Sequence, residues 1–333
     1  MINVAINGFG RIGRQVLQAG LNDKKINFVA INDLTDTKTL AHLLKYDSVH
    51  GIRDYKIKFD KKSITINNKK ILVFTEKDPA NLPWKKLKID IVVESTGFFV
   101  NPDLAIKHCT AGAKKIIVSA PCKGKNVQTP FATLVKGVND KSYKNEKVVS
   151  NASCTTNCLA PIVKVINDNF KIQHGLMTTV HAYTADQRIV DGPHKDLRRA
   201  RAAAMNIVPT TTGAAIAVTK VIPSLKDKLD GMAIRVPVAD GSLTDFTFTV
   251  KKNVTAEQIN NAIKKAAKTS MKGIIQYSEE PLVSTDIIGN EHSAIFDALS
   301  TKVLDGKFVK VLAWYDNEWG YSKRIIDLIK LIK

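Results

Sequence analysis

A length of 333 residues is long for one hydrophobic core, so the chain is expected to fold as two domains. Hydrophobic residues make up 44% of the chain and charged residues 24%, a composition that excludes an intrinsically disordered protein. No stretch approaches the roughly 18 consecutive apolar residues that a membrane span needs. The first residues form a strand-like run without a signal-peptide pattern, so we expect no membrane partner and a cytoplasmic location.

The formal net charge of the chain is +19. Such an excess is compatible with nucleic-acid binding, but the lysines are spread along the whole chain rather than gathered into one stripe. We therefore favour a solvated, lysine-rich surface together with a cationic pocket for anionic ligands. A nucleic-acid or surface-binding role stays open, either as the main function from a different class or as a secondary partner of an enzyme.

The four cysteines do not form a pattern typical of a disulfide framework or of a zinc site. They are too few and too scattered for the former: Cys109, Cys122, Cys154 and Cys158. Cys154 and Cys158 are four residues apart, which places both on one face of a helix. No CxxC or HxxxH pair supplies further ligands at metal spacing, so no metal site is predicted.

Short apolar runs alternate with helical patterns in the first half of the chain, which is the order of βαβ units and a parallel sheet. The strand patterns are Asn3–Asn7, Phe28–Asn32, Ile91–Glu94, Lys115–Ser119 and Val148–Ser150. The helical patterns are Arg11–Ala19, Thr37–Leu44 and Pro102–Ala111. Three segments that alternate like antiparallel strands interrupt this order: Tyr55–Phe59, Ser63–Ile66 and Lys70–Thr75.

The second half has longer strand patterns and predicts an α+β domain with a mainly antiparallel sheet. Its strand patterns are Ile172–His181, Met232–Val238, Asp245–Thr249 and Phe308–Tyr315. Its helical patterns are Thr155–Asn167, Gly213–Val221 and Ala256–Ala267, the last opened by a capping box of Thr255 and Gln258. The segment Tyr183–Ile207 is expected to be a long functional or interfacial loop, and Ser322–Lys333 a final helix.

A dinucleotide-binding fingerprint joins the first strand to the first helix. The segment Gly8-Phe9-Gly10-Arg11-Ile12-Gly13 follows a strand and opens a helix, which is the context that GxGxxG needs. Gly8 permits the tight turn, Gly10 lets the backbone approach a pyrophosphate, and Gly13 allows close packing of helix on strand. The pyrophosphate is expected at the start of the helix, where free N–H groups and the helix dipole favour anions.

Asp33 follows the second strand, twenty residues after Gly13. An acidic residue at this position hydrogen-bonds the ribose hydroxyls of the cofactor and repels a 2′-phosphate. The sequence therefore predicts a Rossmann-type domain that binds NAD rather than NADP.

Cys154 lies between an apolar strand and a helical run, at the predicted start of a helix. The positive end of the helix lowers the pKa of a thiol there and favours the nucleophilic thiolate. Backbone N–H groups at the same point could hold the oxyanion formed when a thiolate attacks a carbonyl. Taken by itself, the residue is as compatible with a buried structural cysteine as with a nucleophile.

His181 ends an apolar strand and enters the long loop, a position from which its side chain can reach an active site. An imidazole near a thiol can act as acid and base at neutral pH. A histidine at a strand end is often only a polar surface residue. The sequence permits a Cys154–His181 pair but does not establish it.

Five motifs resemble those of the glyceraldehyde-3-phosphate dehydrogenase family, and the resemblance extends over essentially the whole chain. They are Asn7–Arg14, Ser150–Asn157, Pro193–Arg199, Pro209–Ala215 and Trp314–Tyr321. The resemblance implies a phosphorylating, NAD-dependent oxidation of glyceraldehyde 3-phosphate to 1,3-bisphosphoglycerate. Cys154 would form a thiohemiacetal and then a thioester, with His181 as the acid–base, and inorganic phosphate would cleave the thioester.

The resemblance also implies two anion sites and a set of cofactor contacts. Residues of the attacking-phosphate site would be Ser153, Thr155, Thr212 and Gly213. Residues of the substrate-phosphate site would be Thr184, Arg199 and Arg235, with Arg199 exchanging between roles; arginine suits phosphate because its planar fork binds two oxygens. Cofactor contacts would be Gly8, Gly10, Arg11, Ile12, Asp33, Lys77, Thr96, Ser119 and Asn317, although Lys77 stands where many relatives have arginine.

Members of this family are homotetramers, so a tetramer is expected, with the long loop lining a neighbouring cofactor site. The expected domains are residues 1–153 for the cofactor and 154–316 for catalysis, with the helix 317–333 packing back on the first. Within the enzyme class an erythrose-4-phosphate dehydrogenase stays open as an alternative, because it shares the fold, the cysteine and the histidine.

Overall fold

The computed structural model describes residues 1–333, and its contacts divide the chain into two compact units. Unit 1 comprises Met1–Leu134, Ser142–Ala152 and Ser322–Lys333, and unit 2 comprises Val135–Lys141 and Ser153–Tyr321. These boundaries separate the two groups of residues that contact one another most. The domain ranges expected from the sequence, 1–153 and 154–316, stay a prediction. None of the helices is long and apolar enough to span a membrane.

Unit 1 contains eleven strands and four helices before the chain enters unit 2. The strands are β1 Ile2–Asn7, β2 Ile26–Asn32, β3 Tyr46–Asp47, β4 Gly51–Ile52, β5 Ile57–Asp60, β6 Ser63–Ile66, β7 Lys69–Phe74, β8 Ile91–Glu94, β9 Lys115–Val118, β10 Phe131–Thr133 and β11 Val148–Ser150. The helices are α1 Arg11–Gly20, α2 Thr37–Lys45, α3 Pro102–Ala105 and α4 Lys107–Thr110.

Nine of these strands form one sheet in the order β10-β11-β9-β8-β1-β2-β7-β6-β5. The strands from β10 to β7 are parallel to their neighbours, and β6 and β5 extend the sheet as antiparallel strands. The predicted Rossmann-type architecture is confirmed, including the antiparallel insertion. The predicted helix 102–111 is instead two short helices, because tighter bonds such as Cys109 N–H to the Ile106 carbonyl interrupt it.

The central parallel strands β1, β8, β9 and β11 are buried on both faces, as expected where helices cover a parallel sheet. All four residues of β8 are buried. One core cluster forms around Trp84, Ala5, Ala30 and Val92. The chain order reverses between β2 and β8 on either side of β1, so this unit has a switch point where open α/β sheets bind ligands.

Unit 2 contains seven strands and three helices, and α8 follows at the end of the chain. The helices are α5 Cys154–Phe170, α6 Ala214–Val221, α7 Ala256–Lys268 and α8 Trp319–Leu331. The strands are β12 Ile172–Ala182, β13 Val208–Thr211, β14 Leu229–Val236, β15 Ser242–Val250, β16 Ile275–Ser278, β17 Ala294–Leu304 and β18 Phe308–Tyr315. The capping box of Thr255 and Gln258 at the start of α7 is confirmed.

The unit 2 strands form a sheet in the order β13-β14-β12-β15-β18-β17-β16. Four of the six pairings are antiparallel, and only β12–β14 and β16–β17 are parallel. The strand β17 has no counterpart among the sequence patterns, because a register irregularity between Asp297 and Lys302 breaks its alternation. Residues 183–207 form the expected long loop, whose only ladder contact is an isolated bridge between Arg188 and Ala202.

Residues 322–333, which include most of α8, belong to unit 1, and α8 contacts the first helix of that unit. A Cβ atom added to Gly20 of α1 would lie 2.7 Å from Cδ1 of Ile326, so α8 approaches closely where α1 has no side chain. Lys330 Nζ donates to Asp23 Oδ2 at 3.2 Å beside this contact. The last helix therefore folds onto the beginning of the chain.

Candidate active site

A cavity of about 560 Å³ lies in unit 1 at the carboxyl ends of β1, β2 and β8. The residues that line it include the glycine turn and the ends of the three strands: Asn7, Gly8, Gly10, Asn32, Asp33, Leu34, Glu76, Lys77, Ser95, Thr96, Phe98 and Phe99. Five of the nine cofactor residues expected from the sequence thus line one cavity. Its position at the switch point is typical of a dinucleotide site.

The glycine turn has the geometry that a pyrophosphate site requires. Gly8 has a φ of +90°, and a Cβ there would lie 2.6 Å from the Thr96 nitrogen. A Cβ on Gly13 would lie 2.1 Å from the Gly8 carbonyl oxygen, so α1 packs tightly against the turn. A Cβ on Gly10 would meet no atom within 4 Å, which leaves open space for a ligand. Gly10 also gives α1 no side-chain cap, as suits an anion-binding helix start.

The Asp33 carboxylate lies on the rim of this cavity and organises the glycine turn. Its Oδ2 accepts a hydrogen bond from Phe9 N–H at 2.7 Å, and its Oδ1 accepts one from Thr35 N–H at 3.0 Å. A carboxylate offers about four acceptor positions, so capacity for ribose hydroxyls remains. The cavity therefore fits NAD in its glycine turn, its acidic rim and its open helix start.

The remaining cofactor residues lie outside the cavity lining. Arg11 and Ile12 begin α1, and the Arg11 guanidinium binds Asp47 Oδ1 at 2.9 Å, so its side chain is already engaged. Ser119 follows β9 and donates its N–H to the Glu94 carbonyl at 2.9 Å. Asn317 belongs to unit 2, where its Oδ1 accepts from Ser242 Oγ at 2.6 Å.

In unit 2, Cys154 is the first residue of α5, as the sequence predicts. Ser153 caps the helix, and its Oγ accepts a hydrogen bond from Thr156 N–H at 3.1 Å. Ala152, two residues before the cysteine, has a φ of +54°, a strained conformation for a residue with a Cβ. Such strain is concentrated at functional sites in proteins, and here it directly precedes the thiol.

The structure brings His181, the next-to-last residue of β12, to the thiol: its Nε2 lies 3.5 Å from Cys154 Sγ. On the other side of the ring, Nδ1 lies 2.7 Å from the Ala182 carbonyl oxygen. Nδ1 faces this carbonyl, which only accepts, and also the Arg235 guanidinium, which only donates; the ring proton is on Nδ1 in the tautomer that donates to Ala182. Nε2 is then an acceptor that faces the thiol, which is the tautomer that a general base for Cys154 needs.

Burial raises the pKa of Cys154, although Arg235 and hydrogen bonds from Thr155 oppose it. The expectation that the helix start holds this pKa below its ordinary value is therefore wrong for the resting site, where loss of solvent outweighs the dipole. Burial and the positive charge of Arg235 lower the pKa of His181 to about 3. The resting pair is thus a neutral thiol beside a neutral imidazole at neutral pH.

Arg235 lies beside this pair, and Arg199 makes its contacts with the long loop and β13. Arg235 on β14 contacts His181 Nδ1 and donates to the Ala182 carbonyl at 3.1 Å, while its buried Nε has no hydrogen-bond partner. Arg199 in the long loop binds Asp186 and donates from Nε to Thr210 Oγ1 at 2.8 Å. Burial is the main cause that lowers the pKa of Arg235, and the positive charge of Arg199 also lowers it.

The remaining residues expected at the anion sites have the following positions and hydrogen bonds. Thr155 Oγ1 lies 2.8 Å from the Tyr315 hydroxyl. Thr212 Oγ1 accepts from Ala214 N–H at 3.2 Å, Gly213 stands directly before α6, and Thr184 donates its N–H to Gln187. Ser153 and Thr155 adjoin Cys154 in the chain and Arg235 contacts His181, whereas no contact joins Thr184, Arg199 or Thr212 to the pair.

Two residues near the pair, Tyr315 and Ser242, were not singled out as site residues from the sequence. The buried Tyr315 hydroxyl lies between the hydroxyls of Thr155 and Thr179, at 2.8 and 2.9 Å. Ser242 Oγ accepts from Ala182 N–H at 3.1 Å and donates to Asn317. Both residues stand at strand ends inside ordinary alternating patterns, so only the pairing of β15 with β12 and β18 reveals them.

In a comparison with known proteins, two family models match the chain, one within each of its two units. Residues 2–102 match the family model described as glyceraldehyde 3-phosphate dehydrogenase, NAD binding domain, and residues 153–317 match its C-terminal domain. The chain is 56% identical to glyceraldehyde-3-phosphate dehydrogenase of Geobacillus stearothermophilus over 333 residues, covering 99% of this chain and 98% of the relative. Similarity to glyceraldehyde-3-phosphate dehydrogenase 1 of Bacillus subtilis is equally high, with 56% identity over the same coverage. The protein of that name from Borreliella burgdorferi is 53% identical over the full length of both chains.

Proposed function

The chain belongs to the glyceraldehyde-3-phosphate dehydrogenase family, and we propose that it oxidises and phosphorylates glyceraldehyde 3-phosphate through a covalent intermediate on Cys154. The product is 1,3-bisphosphoglycerate, with NAD as the oxidant and inorganic phosphate as the second substrate. One contact carries the proposal: Cys154 Sγ lies 3.5 Å from an acceptor nitrogen of His181. We place the reaction in the cytoplasm, where phosphorylated sugars and NAD are available.

His181 begins the reaction as a neutral base. Its Nε2 takes the thiol proton as Cys154 Sγ attacks the aldehyde carbon, because burial keeps the imidazole uncharged before the attack. The same nitrogen then returns the proton to the new oxyanion, which gives a thiohemiacetal. The first N–H groups of α5 are placed to stabilise that oxyanion while it exists.

Oxidation leaves the product bound to Cys154 as a thioester. NAD supplies a hydride acceptor when it is bound in the cavity of unit 1. His181 takes the hydroxyl proton from the thiohemiacetal as its carbon loses the hydride, so the charge does not accumulate on oxygen. A phosphate oxygen then attacks the thioester carbon, and Cys154 leaves as a thiolate that recovers its proton from His181.

The arginines account for the binding of anions in this scheme. Arg235 is half-buried and its buried Nε–H has no partner, so a phosphate oxygen there would satisfy a donor that is costly to leave without an acceptor. Arg199 would first have to release Asp186 before it could bind phosphate. The hydroxyls of Ser153, Thr155, Thr184 and Thr212 and the Gly213 N–H are proposed as further donors, as the family resemblance implies.

We also propose that the enzyme is a homotetramer. The long loop exposes large apolar side chains, with Ile189 87%, Leu197 81% and Met205 83% exposed. On the unit 2 sheet, Leu176 and Met232 of adjacent strands are exposed as well. Several large apolar side chains exposed in one loop support an interface there, and light scattering after size-exclusion chromatography tests the number of copies. A monomer at micromolar concentration would contradict this part of the proposal.

An assay of NAD reduction tests the function directly. With glyceraldehyde 3-phosphate the initial rate should depend on inorganic phosphate, and a thioester trapped without phosphate should be found on Cys154. Erythrose 4-phosphate is the matched substrate: a preference for it, with a rate indifferent to phosphate, would replace our proposal with the erythrose-4-phosphate dehydrogenase alternative. Sequence-specific, salt-insensitive nucleic-acid binding without any NAD reduction would overturn the enzymatic assignment altogether.

A further inference from the structure

A buried carboxylate lies directly behind the cofactor cavity of unit 1. Glu94 is the last residue of β8 and is 2% exposed. Its Oε1 accepts hydrogen bonds from the N–H and the hydroxyl of Thr96, at 2.8 and 2.5 Å. Its Oε2 accepts from Asn7 Nδ2 at 2.5 Å and lies 3.1 Å from His108 Nε2. The carboxylate is thus surrounded by donors on every side.

Trp84 fixes the tautomer of His108. The indole N–H is only a donor, and it lies 3.0 Å from His108 Nδ1, so Nδ1 is the acceptor and the proton is on Nε2. Nε2 therefore donates to Glu94. Both rings are fully buried, and a doubly protonated imidazole would leave the indole N–H without an acceptor. The hydrogen-bonded series Trp84–His108–Glu94 therefore carries one negative charge, on Glu94. Trp84 donates to His108, and His108 donates to Glu94.

This chain ends on the rim of the cofactor cavity. Thr96 and Asn7 both line the cavity, and Asn7 Oδ1 accepts from Asn32 Nδ2 at 2.7 Å. Asn32 also holds the segment after β7, because its Oδ1 accepts a hydrogen bond from Glu76 N–H at 2.8 Å. Glu94 is therefore hydrogen-bonded directly to Thr96 and to Asn7, and through the Asn7 amide to Asn32. These residues belong to three separate segments of the rim.

The same chain also sets the position of the glycine turn. The backbone of Thr96 lies so close to Gly8 that a Cβ on Gly8 would be 2.6 Å from its nitrogen. Ser95 Oγ donates to the Gly8 carbonyl at 2.7 Å. A shift of the 95–96 turn would therefore move, or be blocked by, the turn on which the pyrophosphate is expected to rest.

We propose that Glu94 and His108 are positioning residues for NAD: they touch no substrate and preorganise the cavity by fixing the Thr96 turn and Asn7. The inference rests on the proposed NAD-dependent function and adds residues that contact the cofactor cavity only through others. Its chemical basis is that the carboxylate needs four donors and has four. Any change that removes a donor, or turns an acceptor into a donor, should release the rim without touching the cavity surface.

Four variants test this role. Glu94→Gln puts an amide N–H against donors, and His108→Ala removes one donor and leaves the Trp84 N–H without an acceptor. Trp84→Phe removes the tautomer constraint, and His108→Gln restores one acceptor and one donor in the same place. His42→Gln, a histidine of the same unit whose ring contacts Tyr46 away from the cavity, is the matched control.

Calorimetric titration with NAD and steady-state rates give the first readout. Glu94→Gln and His108→Ala should weaken NAD binding and raise its KM by about tenfold, since a buried group is left unsatisfied, while kcat at saturating NAD changes less than about threefold. Trp84→Phe should have a smaller effect of about threefold. His108→Gln should recover most of the loss seen with His108→Ala, and His42→Gln should match the unmodified protein.

Hydrogen exchange of the Thr96 amide in the protein without NAD is the second readout, and it does not depend on activity. The exchange rate of this amide should rise in Glu94→Gln and His108→Ala and return in His108→Gln. Lower thermal stability with unchanged NAD affinity and unchanged Thr96 exchange would show a merely structural role and overturn the inference. If Glu94→Gln fails to fold, Trp84→Phe and the His108 pair decide the matter. Absence of NAD binding by the unmodified protein would instead refute the proposed function, while the exchange measurement would still test the positioning role.

Discussion

The two units of this chain build their sites in different ways. The cofactor cavity of unit 1 depends on a glycine turn and on strand ends that meet at one edge of a parallel sheet. The proposed reaction cluster of unit 2 depends on side chains from separate places: Cys154 on a helix and His181 and Arg235 on adjacent strands. A site formed by the backbone of one turn can be recognised from a short sequence motif. A site formed by side chains from separate elements is known only once the pairing of the strands is known.

The units also differ in charge. Unit 1 has 28 lysines and arginines against 13 acidic residues, a net charge of +15, whereas unit 2 has 22 against 18, a net charge of +4. The excess positive charge therefore belongs to the dinucleotide-binding unit and not to the reaction cluster. The anion recognition that we propose for unit 2 would depend on individual guanidinium groups, and any long-range attraction of polyanions would be a property of unit 1.

Removal of the nucleophile separates the two sites most sharply. Cys154→Ala should reduce turnover at least about ten-thousandfold, because no other group can form the thioester. NAD affinity, measured by titration, should be unchanged because the cavity lies within unit 1. Cys109→Ala, which removes a partly exposed cysteine of unit 1, is the control. Residual phosphate-dependent turnover in Cys154→Ala would exclude this thiol as the nucleophile.

Loss of the base should be the next largest effect. His181→Asn is expected to slow hydride transfer by about 10²- to 10⁴-fold, since a positioned base contributes about that much. Alkylation of Cys154 by iodoacetamide should then require a higher pH, because the thiol has lost the acceptor 3.5 Å away. Single-turnover kinetics and the pH profile of alkylation check both effects. An unchanged alkylation profile would contradict the pairing of thiol and imidazole.

Two glycines of the turn allow folding and cofactor binding to be tested apart. Gly13→Ala should lower stability, since its Cβ would lie 2.1 Å from a backbone oxygen of Gly8. Gly10→Ala should leave the melting temperature unchanged, because its Cβ meets nothing within 4 Å, yet weaken NAD binding by about tenfold where the ligand would occupy that space. Equal NAD affinity in Gly10→Ala and the unmodified protein would contradict the predicted pyrophosphate position.

Cofactor choice should respond to one carboxylate. Asp33→Ala is expected to shift selectivity toward NADP by about tenfold, because the charge that repels a 2′-phosphate is gone. Asp33→Asn is a useful partner variant, since it removes the charge and keeps an acceptor for one of the two N–H groups, Phe9 and Thr35, that bind separate carboxylate oxygens. Ratios of kcat/KM for the two cofactors measure the shift. A strong preference for NADP in the unmodified enzyme would refute the assignment.

The smallest expected effect concerns stability in unit 2. Burial, together with Asp316 and Glu318, raises the pKa of Asp240 to about 8, well above its ordinary value. The folded protein therefore binds this proton more tightly than the unfolded chain, so stability is lost as the pH rises from about 4 to about 8. Asp240→Asn should raise the melting temperature by a few degrees at pH 9 and have little effect near pH 4. Equal melting temperatures of the two proteins at pH 9 would contradict the raised pKa.

Several of these features were already determined by the sequence. The run Gly8–Gly13 specifies a turn, a helix start and a close helix–strand contact, because each glycine meets a local steric demand. The same holds for the position of Cys154 at a helix start and for the capping box at Thr255, since hydrogen bonds at a helix end involve residues only three positions apart. Strand β17 could not be recognised, because its irregular register removes the alternation that marks a strand.

The tertiary structure alone decided which side chains meet and how they ionise. His181 reaches Cys154, and Tyr315 reaches Thr155, through the pairing of β12, β15 and β18, which no local pattern encodes. The Glu94–His108–Trp84 chain likewise joins residues separated by 14 and 24 positions. The helix start predicts a lowered pKa for Cys154, whereas burial raises it. The helix dipole depends on a few neighbouring peptides, but desolvation depends on every atom packed around the thiol. Short-range geometry is thus written in the sequence, and burial and long-range contact are properties of the folded chain.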